Sequence, residues 1–296
     1  GDGVLDVGVV APTGSHLFKR AGGGRVAITN YGDLSSAVLS RVGMDGQKKQ
    51  PSGTGTMYYK KKGQNGNILV RSTFTTTVDT TIEGPDALVK FEVEKARVTY
   101  NVPASSVRLT CDAVVLTSNS LVYLMTKLEL TEGLTVPSST TMEITGGATA
   151  DSLSVAAGGG KLTVKSGKVE IAKASDVKGT ATLTKGMSTD SLSVAGTLAV
   201  TDGATEVTNL MTLVGNVDAA GIEAGALTVN GDLDVTAGEV KVVGVLGVAT
   251  GGSLDLANNV PATTKILNMR GAMNVRGGKV RATADATVEG VLTHSA

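Results

Sequence analysis

After about residue 145 the chain settles into a short beat of apolar pairs. It reads Leu153-Ser-Val155, Leu162-Thr-Val164, Val169-Glu-Ile171, Leu192-Ser-Val194, Leu198-Ala-Val200, Leu227-Thr-Val229, Leu233-Asp-Val235, Val240-Lys-Val242, Leu246-Gly-Val248 and Leu254-Asp-Leu256. Each pair reads as the inward–outward–inward triplet of a β-strand, because strand side chains alternate faces. Between the triplets sit Gly, Asn, Asp, Thr and Ala, which turn easily. Strands this short cannot form an ordinary sandwich, so the pattern predicts the stacked coils of a parallel β-solenoid.

The spacing of the inward residues sets the coil. Val194, Val200, Val207 and Leu213 are 6, 7 and 6 apart, and Val229, Val235, Val242 and Val248 repeat that spacing. A three-sided coil with one short strand per face closes after 19 residues, placing Val194 beneath Leu213 and Val229 beneath Val248. The hexapeptide Asp151–Ala156 recurs unchanged as Asp190–Ala195. The 12-residue gap from Ile171 to Leu183 breaks the beat and reads as a loop inserted at a corner. Residues 146–296 then make roughly eight coils, a rod of roughly 40 Å at about 4.8 Å per coil. In such a stack each coil contacts only its neighbours, and an uncapped end presents unpaired backbone.

The pattern before residue 140 is different. Ile68–Val78, Ala87–Tyr100, Ser106–Leu116 and Leu121–Leu130 read as longer strands. In Val89–Val98 apolar and charged positions alternate almost strictly, as in a half-exposed antiparallel strand. Gln47–Asn67 is polar, basic and glycine-rich, and reads as a long hairpin or loop. Asp33–Val42 is the best helical candidate, with Asp33 as its cap. The expected fold class is therefore all-β: a globular sandwich or barrel over residues 1–140, acting in assembly, followed by a parallel β-solenoid over 146–296.

Composition sharpens the boundary. The chain has 3 Phe, 5 Tyr and no Trp in 296 residues, and all eight aromatics precede residue 124. The core of the second half is thus built from Val, Leu, Ile, Ala and Met, which suits a slim interior. Charge is balanced at 27 basic and 27 acidic residues, so there is no net positive field of the kind a dedicated nucleic-acid binder needs. No apolar stretch approaches the roughly 20 residues that span a bilayer. The first residue is Gly rather than Met, which reads as a processed or trimmed chain.

Candidate chemistry is sparse. The single cysteine, Cys111, excludes an intramolecular disulfide framework and reads as a buried structural thiol. Of the two histidines, His16 falls in a Gly/Ser turn and His294 near the C-terminal end of the sequence; neither has ligand-spaced partners. Gly158-Gly-Gly-Lys161 departs from the phosphate-loop pattern at Val155 and Leu162, and reads as a solenoid corner. Asp2, Asp6, Asp232 and Asp234 supply carboxylates without calcium-loop spacing. No catalytic residue, metal site or cofactor is expected. One charge cluster stands out: Lys48, Lys49, Lys60, Lys61, Lys62 and Arg71, with Tyr58 and Tyr59 abutting the lysine triplet. It reads either as a contact with a subunit or polyanion, or as a solvated hairpin whose lysines discourage edge pairing. Val4, Leu5, Val7, Val9 and Val10 alternate as a strand that a neighbouring copy could receive.

The segments Leu192–Val200 and Leu227–Val235 resemble the short repeats of β-solenoid surface proteins: phage and algal-virus fibre proteins, bacterial adhesins and the filament-forming bactofilins. The resemblance spans about residues 150–292 and finds no counterpart in 1–140, a departure from the single-domain bactofilin pattern. It implies an extracellular, cell-surface or virion protein. The expected function is a non-enzymatic structural subunit of a fibre, sheath, filament or capsid-associated assembly. Its partners would be further copies of itself, as an oligomer or polymer, and other surface or virion proteins. The alternatives are an adhesin that recognises a glycan or host surface and, third, a polysaccharide-active β-helix enzyme.

Overall fold

A computed structural model of the protein describes residues 25–31, 55–61, 63–72, 79–117 and 119–295. The described residues are all-β, with no helix, and residues 66–295 form a parallel β-solenoid. The helical candidate Asp33–Val42 and the alternating strand Val4–Val10 lie outside the described residues.

Each coil has three faces, visited in the order I, II, III. Lys161–Val164 lies on face I, Val169–Ile171 on face II and Ala174–Val177 on face III, after which Thr180–Leu183 returns to face I. Face I is a ladder of twelve parallel strands running from Asp79–Glu83 to Val291–Ser295. The register matches the sequence reading: Val194 pairs with Leu213 and Val229 with Val248. Val200 pairs with Ala219 on face I and Val207 with Ala224 on face II, so the 6-7-6 spacing is one inward residue per face. Leu162, Val164, Leu198, Leu213, Leu227, Leu233, Leu246 and Leu254 are buried in one continuous apolar column. Such a column gains stability rung by rung, because each coil buries its inward residues only against the next.

The pairing crosses residues 137–150 without a break. Leu121–Leu124 pairs with Thr141–Ile144, and that strand with Lys161–Val164. Rungs therefore reach far into the half read as a separate domain, and residues 66–140 belong to the stack. The loss of aromatics marks a change in how the column is filled: Phe91 and Tyr100 stack in it with ring centroids 5.0 Å apart, where later rungs use aliphatic residues.

Two further readings are corrected. The run Val89–Val98 is not one antiparallel strand. Ala87–Glu94 pairs in parallel on both edges, Lys95 turns the chain at φ 50°, and Arg97–Asn101 starts the next face. The gap from Ile171 to Leu183 is not an inserted loop either. It holds the full face III strand Ala174–Val177, whose inward positions are Ser175 and Val177, both buried. Ser175 hid the beat because it is polar; inside, its hydroxyl lies 3.1 Å from that of buried Thr189.

One corner explains why glycine is so frequent. Gly160, Gly179, Gly196, Gly215, Gly231, Gly252, Gly271 and Gly290 each sit just before a face I strand. At most of these positions the glycine carbonyl accepts a hydrogen bond from the residue after the next glycine up, as in Thr197 N–H to Gly179 (2.9 Å), Asn216 N–H to Gly196 (2.9 Å) and Asp232 N–H to Gly215 (3.1 Å). A Cβ on Gly215 would stand 1.9 Å from the Gly196 oxygen, and one on Gly196 2.0 Å from that of Gly179. The corner can turn this tightly only while the column stays glycine.

The two ends differ. At the N-terminal end the strand Gly55–Lys61, inside the segment read as a long hairpin or loop, pairs antiparallel with Gly66–Arg71, which runs into the next strand read from sequence, and Arg25–Tyr31 pairs with Gly55–Lys61 in parallel. Met57, on the first strand of this hairpin, is fully buried. At the other end Val280–Val288 and Val291–Ser295 have no strand beyond them among the described residues, and Val288, Val291 and Leu292 are exposed.

Candidate functional surfaces

Because the inward residues fill the column, chemistry is confined to outward positions, and the three faces carry different sets. Face I is acidic over three successive rungs. Asp218 pairs with Asp234 and Asp234 with Asp255, so their side chains lie on neighbouring strands, with Asp232 beside them. Asp232 accepts a 2.6 Å hydrogen bond from the Ser253 hydroxyl. One oxygen of Asp255 is buried without a hydrogen-bond partner. The Asp234 carboxyl is pushed above the ordinary carboxylate range, first by partial burial and then by the charges of Asp255, Asp218 and Asp232; Arg276 opposes the shift.

That direction fixes a pH dependence. A carboxyl whose folded pKa is raised takes up its proton more readily folded than unfolded, so its charge weakens the fold above that pKa and the penalty fades as pH falls through it. Asp234→Asn should therefore raise the melting temperature at pH 7. The gain is about 0.5 kcal/mol, the middle of the range for like charges on paired strands, discounted for solvent exposure. The difference should close as pH falls to about 4, the ordinary carboxylate range. Thermal unfolding at the two pH values measures it; an equal gap at both would remove the ladder as its cause.

Face II carries both signs. Glu206, Glu223 and Lys241 occupy consecutive rungs, with Lys241 Nζ 3.4 Å from Glu223 and Lys168 reaching Glu206 at 2.7 Å. Beside them lies a shallow cleft of about 250 Å³. A second cleft, of about 640 Å³, lies between Glu83–Pro85 and Asn101–Ala104. Neither is lined by histidine, cysteine or an aromatic ring. Among the described residues no three His, Cys, Asp or Glu side chains are grouped to hold a metal ion.

The basic cluster is divided by the structure. Lys48, Lys49 and Lys62 lie outside the described residues, while Tyr58, Tyr59, Lys60 and Lys61 fall on the hairpin strand Gly55–Lys61. Arg71 is on the partner strand, and its guanidinium contacts Glu94 of the next rung with both oxygens, at 2.5 and 3.0 Å. Tyr58 lies over Gly66, where a Cβ would meet its ring at 2.3 Å, so this ring closes the hairpin. Sequence reasoning missed the Arg71–Glu94 pair because it joins residues 23 positions apart, a separation set by one coil of the stack.

The remaining candidates are structural where described. Cys111 is fully buried, its thiol donates to the Ala113 carbonyl at 2.9 Å, and burial pushes its pKa up to about 11, so it is a poor nucleophile at neutral pH. Gly158 and Gly159 turn a corner at φ 72° and 92°. His294 has one ring nitrogen 3.3 Å from the Gly278 carbonyl. His16, Asp2 and Asp6 lie outside the described residues. No helix among the described residues is long and apolar enough to cross a membrane.

Face III is the one that sequence reading left without a role. From Ser191–Val194 through Met269 its five successive strands carry no charged residue. No protein-family model, no curated protein and no solved structure matches the chain.

Proposed function

We propose that the chain is a non-enzymatic structural subunit that works by self-association, as part of an extracellular or virion-surface assembly such as a fibre, sheath or filament. The observation that carries this reading is the uninterrupted stack: nearly all of the described chain is spent on twelve in-register rungs sharing one apolar column. A stack of this kind is stiff along its axis, because bending it would open backbone ladders on all three faces at once. At about 4.8 Å per rung it supplies roughly 55 Å of rod. The stacking of small aliphatic side chains and close-packed glycine corners serves length and rigidity.

Size-exclusion chromatography with multi-angle light scattering on the purified chain tests the reading. Discrete oligomers or growing polymers are expected as concentration rises through about the micromolar range, the weak end for protein interfaces. A single monomer peak throughout, with selective binding to one glycan on an array, would replace this reading with that of an adhesin.

A further inference from the structure

We infer that face III, between the strands Ser191–Val194 and Ile266–Met269, is a lateral docking surface for the same face of a second copy. The inference rests on the self-association reading above and names the surface that would serve it.

The three faces differ in one property that bears on burial. Face I presents Asp218, Asp232, Asp234 and Asp255, and face II presents Glu206, Glu223 and Lys241. Over the same rungs the outward positions of face III are Ser, Leu, Thr, Ala, Val, Gly, Ile and Asn. The neutral field is bounded along the rod: Asp176 pairs with Ser193 at one limit and Asp285 with Ile266 at the other. Asp190, Lys265 and Arg270 stand at its margins, on the corners.

The field is also where the middle of the rod leaves large apolar side chains in water. Leu210 is 47% exposed and Val245 37%, both outward on face III. Val243, at 70%, and Val214, at 58%, lie at the two corners that flank it. No other large hydrophobic side chain between Val155 and Met273 is exposed to this degree. A face without charges can be buried without stranding one, and Leu210 and Val245 would leave water on contact.

A second copy fits this field better than an unrelated partner for a geometric reason. The face is corrugated by its own rungs at about 4.8 Å, and a partner with the same repeat can keep step with it along the rod. Two identical faces related by a two-fold axis meet that condition automatically. Five rungs by one four-residue strand give about 24 by 13 Å, or roughly 300 Å² of projected face per copy. That is well below the roughly 800 Å² per partner of a standard interface, so one contact is weak and becomes persistent only when repeated along an array.

Sedimentation velocity over a concentration series tests the inference on the whole chain, using Leu210→Lys/Val245→Lys and, as a control, Asn274→Lys on face I. All three positions point outward, so each variant should still fold, which circular dichroism and thermal unfolding check before association is compared. The double variant should weaken self-association at least tenfold, while the face I control should leave it unaltered. If the wild type associates and the double variant does so equally well, face III is overturned as the docking surface and the self-association reading stands. A wild type that stays monomeric at every concentration overturns both.

Discussion

Gly215→Ala should destabilise the protein by about 3 kcal/mol, the upper part of the range for overpacking in a site that cannot yield. The added Cβ would stand 1.9 Å from the Gly196 oxygen, and that oxygen is held in place as the acceptor of the Asn216 N–H. Neither group can retreat without opening a ladder. Moving the Gly196 carbonyl disturbs the bond to Asn216, and moving Gly215 disturbs its own carbonyl bond to Asp232. Gly247→Ala is the matched control. It lies outward on face III, its nearest neighbours are backbone oxygens 3.9 and 4.0 Å from an added Cβ, and its φ is not positive. Alanine there should be neutral, or stabilising by about 0.5 kcal/mol through the unfolded chain. Denaturant unfolding of the two variants measures the contrast; equal losses would mean that the glycine column is not what shapes the corner.

Phe91→Ala should cost about 3–5 kcal/mol, the range for deleting a fully buried aromatic ring. Phe91 is fully buried, its ring is tilted 51° against Tyr100, and its strand is sandwiched in parallel between Gly66–Arg71 and Arg108–Leu116. Tyr100 is held independently by a 2.6 Å hydrogen bond from its hydroxyl to the Pro85 carbonyl, so it is poorly placed to swing into the space left behind. Where the loss appears is as informative as its size. In a stack with nearest-neighbour coupling, a hole opens the rungs beside it first and is felt less with distance. Hydrogen exchange should therefore quicken over residues 66–124 and change little in rungs such as Ala272–Arg276. Uniform acceleration along the whole chain would contradict a stack built on local coupling.

Much of this architecture can be read from the residues alone, for a physical reason: in a solenoid the inward positions recur at nearly fixed intervals, and Val194, Val200, Val207 and Leu213 show the coil directly. The reading weakened wherever the alternation was ambiguous. Alternating apolar and charged residues in Val89-Lys-Phe-Glu-Val report one buried and one wet face, and a parallel solenoid strand has that environment as much as an antiparallel one does. Nothing in the alternation reports pairing direction. Ser175 concealed a strand because a hydroxyl satisfied inside, against Thr189, looks like a solvent position in sequence. The candidate surfaces were harder still to read. Asp218, Asp234 and Asp255 are far apart in sequence, and only the register of face I brings them to consecutive rungs. The neutrality of face III likewise emerges only when Ser191–Val194, Leu210–Leu213, Ala226–Val229, Val245–Val248 and Ile266–Met269 are placed above one another. The glycines were visible as turn residues, but their role depends on a carbonyl one coil away.

Negative-stain electron microscopy of the purified 296-residue chain tests the central claim most directly, because it images the rod and its contacts together. The account predicts ordered assemblies in which stiff rods with roughly 55 Å of stacked rungs lie side by side or joined in series. Isolated rods at every concentration, with no repeated contact between them, would contradict it.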